Sequence, residues 1–420
     1  MSRTVSLVIL VSLLTALVVY HPYPYDNVVT RWALAERLAS SGKLTITPYA
    51  GFTGDIAVHQ GRWYSDKSFL PSAVAAIPLL PLRLAGVDLL KLTPVMGGAW
   101  RYISERLTVT LALLALLLLL NRRCRREGIP PLLPVLALGL GSILLPYSTL
   151  LYTHVPAAML LFASWTMQEK RRWAAADILG ALAVAWEYTL LVPFLVLLIY
   201  RGKRWWSPTL AARSLGALVL ALAPQMLHNG LAFGSPFTMG YSLEEEELFA
   251  VSGGGFFGFA HPTPGRLYTI LLSPERGILF YMPWAALGLW GLLQGRGLRA
   301  RLARDPLPVL VLSYILLYSA QRATAAGWAF GQRYLIALIP FLAVGLGRFA
   351  ARGPARAFAA STAVLPGIVQ ALLGTFGEMH LPTHTPFLPI PLPQVKISLR
   401  MMLDGHHSLW LGGAAGTAAL

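Results

Sequence analysis

Long uncharged apolar runs limit this chain to one broad class of fold. The runs Leu107 to Leu120 and Leu132 to Leu151 contain no charged residue, and 56% of the 420 residues are hydrophobic while 12% are charged. Soluble domains carry about twice that proportion of charged residues. Such runs cross hydrocarbon as helices, and nothing in the chain shows the alternation over ~10 residues that is typical of outer-membrane barrels. The sequence therefore predicts an all-α polytopic membrane protein.

The positive charges of the chain indicate its orientation in the bilayer. The formal net charge is +16, which in a soluble protein would suggest a nucleic-acid partner. Here most of the charge lies in short basic clusters between apolar runs, and the positive-inside rule places these clusters in the cytoplasm. We therefore expect the lipid bilayer, and no nucleic acid, as a partner. The clusters are Arg122–Arg126, Lys170–Arg172, Arg201–Arg204, Arg296–Arg304 and Arg348–Arg356.

Segments between successive cytoplasmic clusters must leave the cytoplasm and return, which predicts about eleven spans with the N-terminus inside. Met1 to Tyr20 has a basic start but no small-residue cleavage pattern, so we interpret it as a retained span. The predicted spans are Val5–Tyr20, Leu107–Leu120, Leu132–Leu151, Val155–Met167, Ala174–Trp186, Thr189–Tyr200, Leu215–Leu227, Ile278–Leu293, Leu307–Tyr318, Tyr334–Gly347 and Phe358–Leu373.

Two apolar segments have an alternative interpretation. Ala174 to Tyr200 could form one tilted helix or a helical hairpin, and the basic clusters at both ends favour a hairpin with Glu187 at its outer tip. Phe69 to Leu84 contains three prolines and Arg83, so we predict an interfacial or re-entrant segment. The organisation is then a membrane domain over residues 1–377, with short interfacial helices in an outer region 21–105, and a Pro- and His-rich outer tail over residues 378–420.

Basic residues on the predicted outer face run against the orientation rule and are therefore candidates for binding. Arg and Lys bind phosphate oxygens through charge-assisted hydrogen bonds, although any one of them could also lie on a solvated rim. Lys67 precedes an apolar segment, which suits a lipid phosphate, but it could simply pair with Asp66. The outer basic residues are Arg31, Arg62, Lys67, Arg101, Arg106, Arg266, Arg276, Arg322 and Arg333.

Several outer carboxylates and one histidine could take part in chemistry. Asp26 begins a helical pattern and is either an N-cap or a general base aimed into an outer cavity. Asp55 follows Gly54 and is typical of a turn residue. His154 lies in a very short outer loop, where it could be a helix-end residue or face the same cavity. Glu244–Glu247 is either a solvated helix start or a surface that attracts a cationic acceptor.

Motifs for cofactors and metals are absent from the sequence. The single Cys124 allows no disulfide framework and no cysteine-based metal site. The Gly253–Gly258 run lacks the Lys-Ser/Thr ending of a nucleotide-binding loop. We therefore expect no cofactor and no metal.

Taken in order, several short motifs resemble the GT-C superfamily of polyprenyl-phosphate-dependent glycosyltransferases, in the bacterial branch near family 39. That branch includes protein O-mannosyltransferases and the lipid A aminoarabinose transferase. The motifs are Asp26 with Arg31 and Ala35 to Gly42, Gly61 to Lys67, Arg106-Leu107, Pro146 to His154, Phe233 to Pro236, Ser273 to Gly277 and Gly331 to Tyr334.

The resemblance implies that Asp26 is the catalytic base and that Lys67 contacts the lipid phosphate. It also implies the cytoplasmic membrane of a bacterium, with the site facing outward. The chain departs from the family in having Asn27 where many relatives carry Glu after the first aspartate, and His154 where relatives often have an acidic residue. Because of these departures, neither a metal site nor a particular mode of acceptor binding is carried over from the family to this chain.

The leading hypothesis is an inverting glycosyltransferase that moves a sugar from a polyprenyl-phosphate donor to a glycan, lipid or protein acceptor. Asp26 would remove the acceptor proton, and Lys67 with Arg276, Arg322 or Arg333 would bind the departing phosphate. Alternatives are a transporter or flippase for a lipid-linked glycan, and a polysaccharide polymerase or ligase. Residues expected to support the site or contact the substrate are Arg31, Asp55, Tyr64, His154, Trp328 and Tyr334.

Overall fold

The computed structural model describes residues 2–21, 25–49, 51–89, 98–205, 207–244, 258–295, 297–323 and 329–377. These residues are mainly helical, and the strands described among them form a single two-stranded sheet. The expected all-α membrane architecture is therefore confirmed. Trp328 and the predicted tail over residues 378–420 lie outside the described residues.

Along the first half of the chain, helices precede and follow one short β-hairpin. A π-helical turn over Arg106–Thr110 joins α5 and α6 into one long helix. The helices are α1 Arg3–Val18, α2 Asp26–Ser41, α3 Phe69–Ala76, α4 Leu80–Leu84, α5 Gly98–Glu105, α6 Leu111–Arg126, α7 Leu132–Gly139, α8 Leu144–Tyr147, α9 His154–Glu169, α10 Trp173–Trp186 and α11 Leu191–Trp205; the strands are β1 Ile56–His59 and β2 Arg62–Ser65.

The described residues of the second half form further helices joined by irregular segments. Short 3-10 helices occur at Thr47–Tyr49, Ile77–Leu79, Tyr188–Leu190, Gly240–Leu243 and Arg333–Leu338. The remaining helices are α12 Pro208–Phe233, α13 Pro264–Leu271, α14 Ile278–Tyr281, α15 Trp284–Leu293, α16 Leu298–Arg304, α17 Pro306–Tyr318, α18 Ile339–Ala350 and α19 Pro354–Phe376.

Each predicted span overlaps at least one of these helices. Four helical stretches are long and apolar enough to cross a membrane: Gly98–Arg126, Pro208–Phe233, Arg333–Ala350 and Pro354–Phe376. Shorter apolar helices, such as α1, α10 and α17, accompany them. The predicted span Leu132–Leu151 is interrupted between α7 and α8, and the span Ile278–Leu293 is interrupted at Met282 and Pro283.

The apolar segment from Ala174 to Tyr200 forms two helices, as the flanking basic clusters predicted. The break lies at Glu187, whose backbone is extended with φ −145° and ψ 107°. Phe194 packs so closely on Gly180 that a Cβ at Gly180 would lie 2.1 Å from its ring. These two residues are equally far from Glu187 along the chain, so α10 and α11 run antiparallel as a hairpin.

The described parts of all five basic clusters lie at one end of the helix bundle. We call this end the opposite face, because segment Phe69–Leu84 lies at the other end. Glu127 accepts hydrogen bonds from Arg123 and from Arg348, and Arg348 also contacts Asp305 at 2.7 Å. Arg123 approaches Glu169 beside the second cluster, and the Tyr200 hydroxyl beside the third cluster donates to the Leu302 carbonyl. The shared location agrees with the topology deduced from charge.

Segment Phe69–Leu84 lies at the other end of the bundle. The Ser68 hydroxyl donates to the Trp186 carbonyl next to the hairpin tip, and the Phe69 N–H donates to Gln225 near the end of α12. Further along, the Ala75 carbonyl accepts from Ser104 near the start of the long second span. The segment therefore contacts the ends of three spans on one face, which fits an interfacial position.

The β-hairpin was not predicted from the sequence. β1 and β2 pair antiparallel, with Ile56 opposite Ser65 and His59 opposite Arg62. Gln60 and Gly61 form the connection, both with positive φ, at 50° and 69°. Such a pair of left-handed residues closes a two-residue hairpin with the twist that antiparallel strands need. The hairpin fixes where the residues immediately before β1 and after β2 lie.

Candidate active site

A buried ion cluster lies where the two ends of the β-hairpin meet. The register that pairs Ile56 with Ser65 places Asp55 opposite Asp66, one residue beyond each strand. Lys67 Nζ contacts Asp66 and lies 3.2 Å from Asp55 Oδ2, and all three side chains are at most 6% exposed. Burial alone would lower the pKa of Lys67, but the two carboxylates raise it above its usual value. Lys67 is therefore charged at all physiological pH values.

The 3-10 helix Gly240–Leu243 brings a second layer of side chains to this cluster. A Cβ at Gly240 would lie 2.6 Å from the Asp66 Cα, so only glycine allows this close contact between backbones. As a result the Tyr241 ring lies 4.8 Å from Lys67 Nζ, and Glu244 forms a β-bridge with Ala57. Burial raises the pKa of Glu244 to about 9, with Asp66 adding to the effect and Lys67 opposing it.

The site therefore holds Glu244 as a neutral acid at pH 7. A neutral carboxyl next to Asp66 can donate its proton to that carboxylate, which removes repulsion between the two acids. Burial likewise raises the pKa of Asp66 above its usual value, against the effect of Lys67. The expectation that Glu244 belongs to a solvated acidic segment is wrong for this residue, because it packs on β1; Glu245 to Glu247 lie outside the described residues.

Helix α2 delivers Arg31 to the same region. Arg31 is 4% exposed, and its Nη1 donates to the backbone carbonyl of Asn27 at 2.8 Å and to the Asn27 side chain. Its Nε is buried with no hydrogen-bond partner among the described residues. The charge of Arg31 acts on Tyr152, His154 and Tyr241, so these residues face a common space. Asn27 orients the predicted basic residue.

Arg333 approaches from the far end of the sequence. Its guanidinium lies 5.7 Å from the Tyr152 ring centroid and 5.6 Å from the Tyr334 ring, and its Nε is buried without a partner in the described parts of the chain. Arg333 also interacts electrostatically with Asp55. Arg333 therefore lies within electrostatic range of Asp55 at the start of the hairpin. Tyr334 stacks on Tyr318 at 4.9 Å and forms a wall of this space.

Asp26 lies at the edge of the cluster. It is the first residue of α2, and Tyr25, not Asp26, occupies the N-cap position. The Gly54 N–H donates to Asp26 Oδ1 at 3.0 Å, and the Thr53 hydroxyl donates to the Asp26 carbonyl. Asp26 thus holds the turn that carries Asp55. Its Oδ2 has no hydrogen-bond partner among the described residues, and the side chain is only partly buried.

His154 and Glu187 form a polar pair on the same face. His154 Nδ1 lies 3.0 Å from Glu187 Oε2, and the imidazole stacks on the Tyr152 ring. Glu187 can interact with His154 because the break between α10 and α11 exposes its side chain toward the start of α9. The Tyr314 hydroxyl approaches the other Glu187 oxygen at 3.4 Å, so a hydrogen-bonded chain continues into α17.

Other predicted residues occupy different surroundings. Arg276 is 1% exposed, its Nη1 donates to the Glu275 carbonyl, and it lies within electrostatic range of Arg333. Arg322 is exposed, and its described contacts are made by its backbone N–H. Tyr64 packs edge-on against Phe233 at 5.4 Å, so burial against α12 occupies a ring that we expected to support the site or contact the substrate.

Sequence reasoning identified neither Tyr241 nor Tyr188 as a member of the site. The Tyr188 hydroxyl is buried without a hydrogen-bond partner among the described residues, and Tyr188 lies near both Tyr241 and Arg31. The only sequence signals were the break at Glu187 and the glycine at position 240. Within the described residues no group of three His, Cys, Asp or Glu side chains is arranged to hold a metal ion.

Comparison with known proteins adds evidence on the fold. No protein-family model matches the chain, and no curated protein matches it in sequence. The crystal structure of ArnT from Cupriavidus metallidurans bound to undecaprenyl phosphate is similar, with a TM-score of 0.55 and 15% identity over 84% of this chain. The likeness shows that this chain has a GT-C-type fold. The resemblance seen in the sequence is therefore confirmed at the level of the fold.

The chain spans 61% of the length of that ArnT chain, so the likeness does not extend to the whole of it. A cryo-EM structure of the arabinofuranosyltransferase AftD from Mycobacteria also matches, with a TM-score of 0.47 and 17% identity. That match covers 92% of this chain and 28% of AftD.

Proposed function

We propose that this protein is an inverting glycosyltransferase that takes a sugar from a polyprenyl-phosphate donor on the outer face of the cytoplasmic membrane. The observation that carries the proposal is the meeting of Asp55, Lys67, Arg31 and Arg333 at one end of a GT-C-type bundle. A donor phosphate needs cationic hydrogen-bond donors in a site shielded from water. The ArnT structure with undecaprenyl phosphate supports a lipid phosphate as the ligand class.

The arginines are better placed than Lys67 to take most of the phosphate charge. Lys67 directs two of its three N–H groups to Asp55 and Asp66. Arg31 and Arg333 each keep a buried Nε without a partner among the described residues, and Tyr188 keeps a buried hydroxyl in the same state. These three donors would contact phosphate oxygens, and Lys67 would add its remaining N–H.

The proposed reaction needs one carboxylate, which acts as the base. The acceptor oxygen or nitrogen attacks the anomeric carbon as the bond from that carbon to the phosphate oxygen breaks, and the acceptor proton passes to Asp26. The polyprenyl phosphate leaves with the bonding electron pair, and the arginines neutralise its charge. Asp26 suits the role of base because its Oδ2 is unoccupied, whereas Asp55 is buried against Lys67.

The experiment compares Asp26→Asn with Asp88→Asn, an exposed aspartate of the same region. Purified protein receives undecaprenyl-phosphate-linked sugars with a membrane extract as acceptor, and release of undecaprenyl phosphate is measured. Loss of a general base costs about 10²- to 10⁴-fold in rate, so Asp26→Asn should lose at least a hundredfold while Asp88→Asn keeps normal activity. Full activity of Asp26→Asn would refute the assignment of the base.

A third variant separates the transferase from the polymerase or ligase alternative. In that alternative the predicted outer loop His228–Gly277 carries the reaction, and Arg266 is its candidate residue. Arg266 donates to the His261 carbonyl, and no described contact joins it to the ion cluster. Arg266→Ala should therefore leave transfer intact, and a large loss in that variant with none in Asp26→Asn would favour the ligase.

A further inference from the structure

A cavity of about 360 Å³ lies on the opposite face, far from the candidate active site. It lies between the ends of α6, α15 and α18 and beside the short helix α16. Its volume falls in the range of about 300–1,000 Å³ that is usual for small-ligand sites. The lining residues are Glu127, Ile129, Gly291, Gln294, Arg301, Arg348, Ala351 and Arg352.

Contacts within the protein occupy some of the arginine side chains that line this cavity. Arg348 directs Nε and Nη2 to Glu127 and Nη1 to Asp305, so all of its nitrogens are in use. Arg301 donates from Nε to the Leu292 carbonyl at the end of α15 and pairs through Nη2 with Asp305 at 2.7 Å. Cations at helix C-termini are favourable, so these groups join the helix ends without any ligand.

Three hydrogen-bond donors at the cavity remain unexplained by such contacts. The guanidinium of Arg352 is exposed and makes no ion pair or hydrogen bond with described residues, and Nη1 of Arg301 is likewise without a partner there. Gln294 Nε2 is buried and has no partner in the described parts of the chain. Arg356 donates to Gln294 Oε1 at 3.1 Å, which fixes the amide so that Nε2 is the available donor.

The acceptor groups of the cavity, by contrast, are already occupied. Glu127 Oε1 accepts from Arg123 and Arg348, and Oε2 accepts from Arg348. Although burial opposes it, the hydrogen bonds and charges of Arg348 and Arg123 lower the pKa of Glu127 below its usual value. The carboxylate is therefore ionised and paired. A ligand in this cavity meets free donors and positive charge, which selects an anion.

We propose that this cavity binds a phosphate-bearing anion through Arg301, Arg352 and Gln294. Arg and amide N–H groups match the oxygens of a phosphate ester. The cavity lies where three apolar helices end. Basic pockets between transmembrane helices on the cytoplasmic side bind anionic headgroups. An anionic phospholipid can therefore supply the phosphate from the leaflet, and a soluble phosphate can supply the same chemistry from the aqueous side.

The first arm of the test measures lipid retention. The purified full chain is released from bilayers of phosphatidylcholine with phosphatidylglycerol, and bound lipids are counted by native mass spectrometry. A basic residue near an anionic surface contributes about 1 kcal/mol, so Arg352→Ala should weaken phosphatidylglycerol retention about fivefold. Arg299→Ala is the matched control, because Arg299 is an exposed arginine of α16 that does not line the cavity. Gln294→Leu should also weaken retention.

The second arm tests a soluble source. The chain is placed in bilayers of phosphatidylcholine alone and titrated calorimetrically with inorganic phosphate and pyrophosphate. Binding that Arg352→Ala weakens and Arg299→Ala does not, in either arm, supports the site, and the arm in which it occurs identifies the source. Equal retention by the two variants together with no phosphate binding overturns the proposal. The result is independent of transferase activity, because the cavity lies on the face away from Asp26 and Lys67.

Discussion

Replacing Lys67 with methionine tests the ion cluster most directly. Methionine keeps most of the volume of the side chain but removes the charge that pairs with Asp55 and Asp66. Breaking a buried ion pair by removing one partner costs about 3–5 kcal/mol, because the remaining charge is left without compensation. The native cluster avoids this cost, since Lys67 contacts both carboxylates and Glu244 is protonated.

Proton uptake sets an upper limit on that cost and makes it depend on pH. An aspartate with an ordinary pKa of about 3.9 takes up a proton at a cost of about 4 kcal/mol at pH 7 and about 1.5 kcal/mol at pH 5. Lys67→Met should therefore be destabilised by about 3–4 kcal/mol at pH 7 and by at most about 1.5 kcal/mol at pH 5, relative to the unsubstituted protein at the same pH. Adding Asp66→Asn should recover part of the loss at pH 7.

The single cysteine provides the assay. Cys124 is fully buried, so a fluorogenic maleimide reports its exposure during heating of the detergent-solubilised protein. At pH 7 we expect the apparent Tm of Lys67→Met to fall by about 5–10 °C, with a smaller fall at pH 5. Lys43→Met is the control, because Lys43 is an exposed lysine just after α2 in the same outer region of the chain. A fall in Tm that is equal at both pH values, or equal in the control, would refute the reasoning about unpaired carboxylates.

Three further outcomes follow from the same geometry. The pKa of Glu244 in the folded protein is raised to about 9. The stability that Glu244 contributes is therefore present below the pKa of a glutamate in the unfolded chain and is lost as the pH rises toward 9. Glu244→Gln should flatten the fall in Tm between pH 5 and pH 9. Gly240→Ala would place a Cβ 2.6 Å from the Asp66 Cα and should cost about 1–3 kcal/mol, whereas Gly265→Ala, with open space around it, should be nearly neutral in the same thermal assay. Burial and the charges of Arg106 and Arg101 lower the pKa of His21 to about 3. The stability that His21 contributes is therefore present above about pH 6.5 and is lost as the pH falls toward 3. His21→Gln should make the apparent Tm less sensitive to acid.

The positions of the spans followed from the sequence because hydrocarbon leaves few alternatives. Apolar length and the positions of arginines were enough to place α10 and α11 as a hairpin with Glu187 at the break. The same information predicted that the five basic clusters lie on one face of the membrane. The interruptions within the Leu132–Leu151 and Ile278–Leu293 segments were not predicted, because hydropathy averages over a window and does not register a local turn.

The sequence predicted only that the late arginines and the first outer region lie on the same face of the membrane. Arg333 and Asp55 are far apart in sequence, and their approach depends on where the bundle places the 3-10 helix Arg333–Leu338 relative to the start of β1. Hydropathy indicates which end of a span lies outside, but it does not indicate the rotation of the helix about its axis. Arg333, at the start of its 3-10 helix, approaches the Tyr152 ring, whereas Arg322, beyond the end of α17, is exposed.

The contacts of Lys67 could have been predicted from a local signal that hydropathy hides. Gln60-Gly61 between Ile56–His59 and Arg62–Ser65 is a two-residue turn between short runs of strand-forming residues. Once that turn is recognised, its register carried one residue further pairs Asp55 with Asp66, and Lys67 follows at once. A lysine held by two carboxylates contributes little net positive charge to a dianionic phosphate. For that reason we propose that Arg31 and Arg333, rather than Lys67, neutralise most of the charge of a leaving phosphate. The buried Nε groups of both arginines have no hydrogen-bond partner among the described residues.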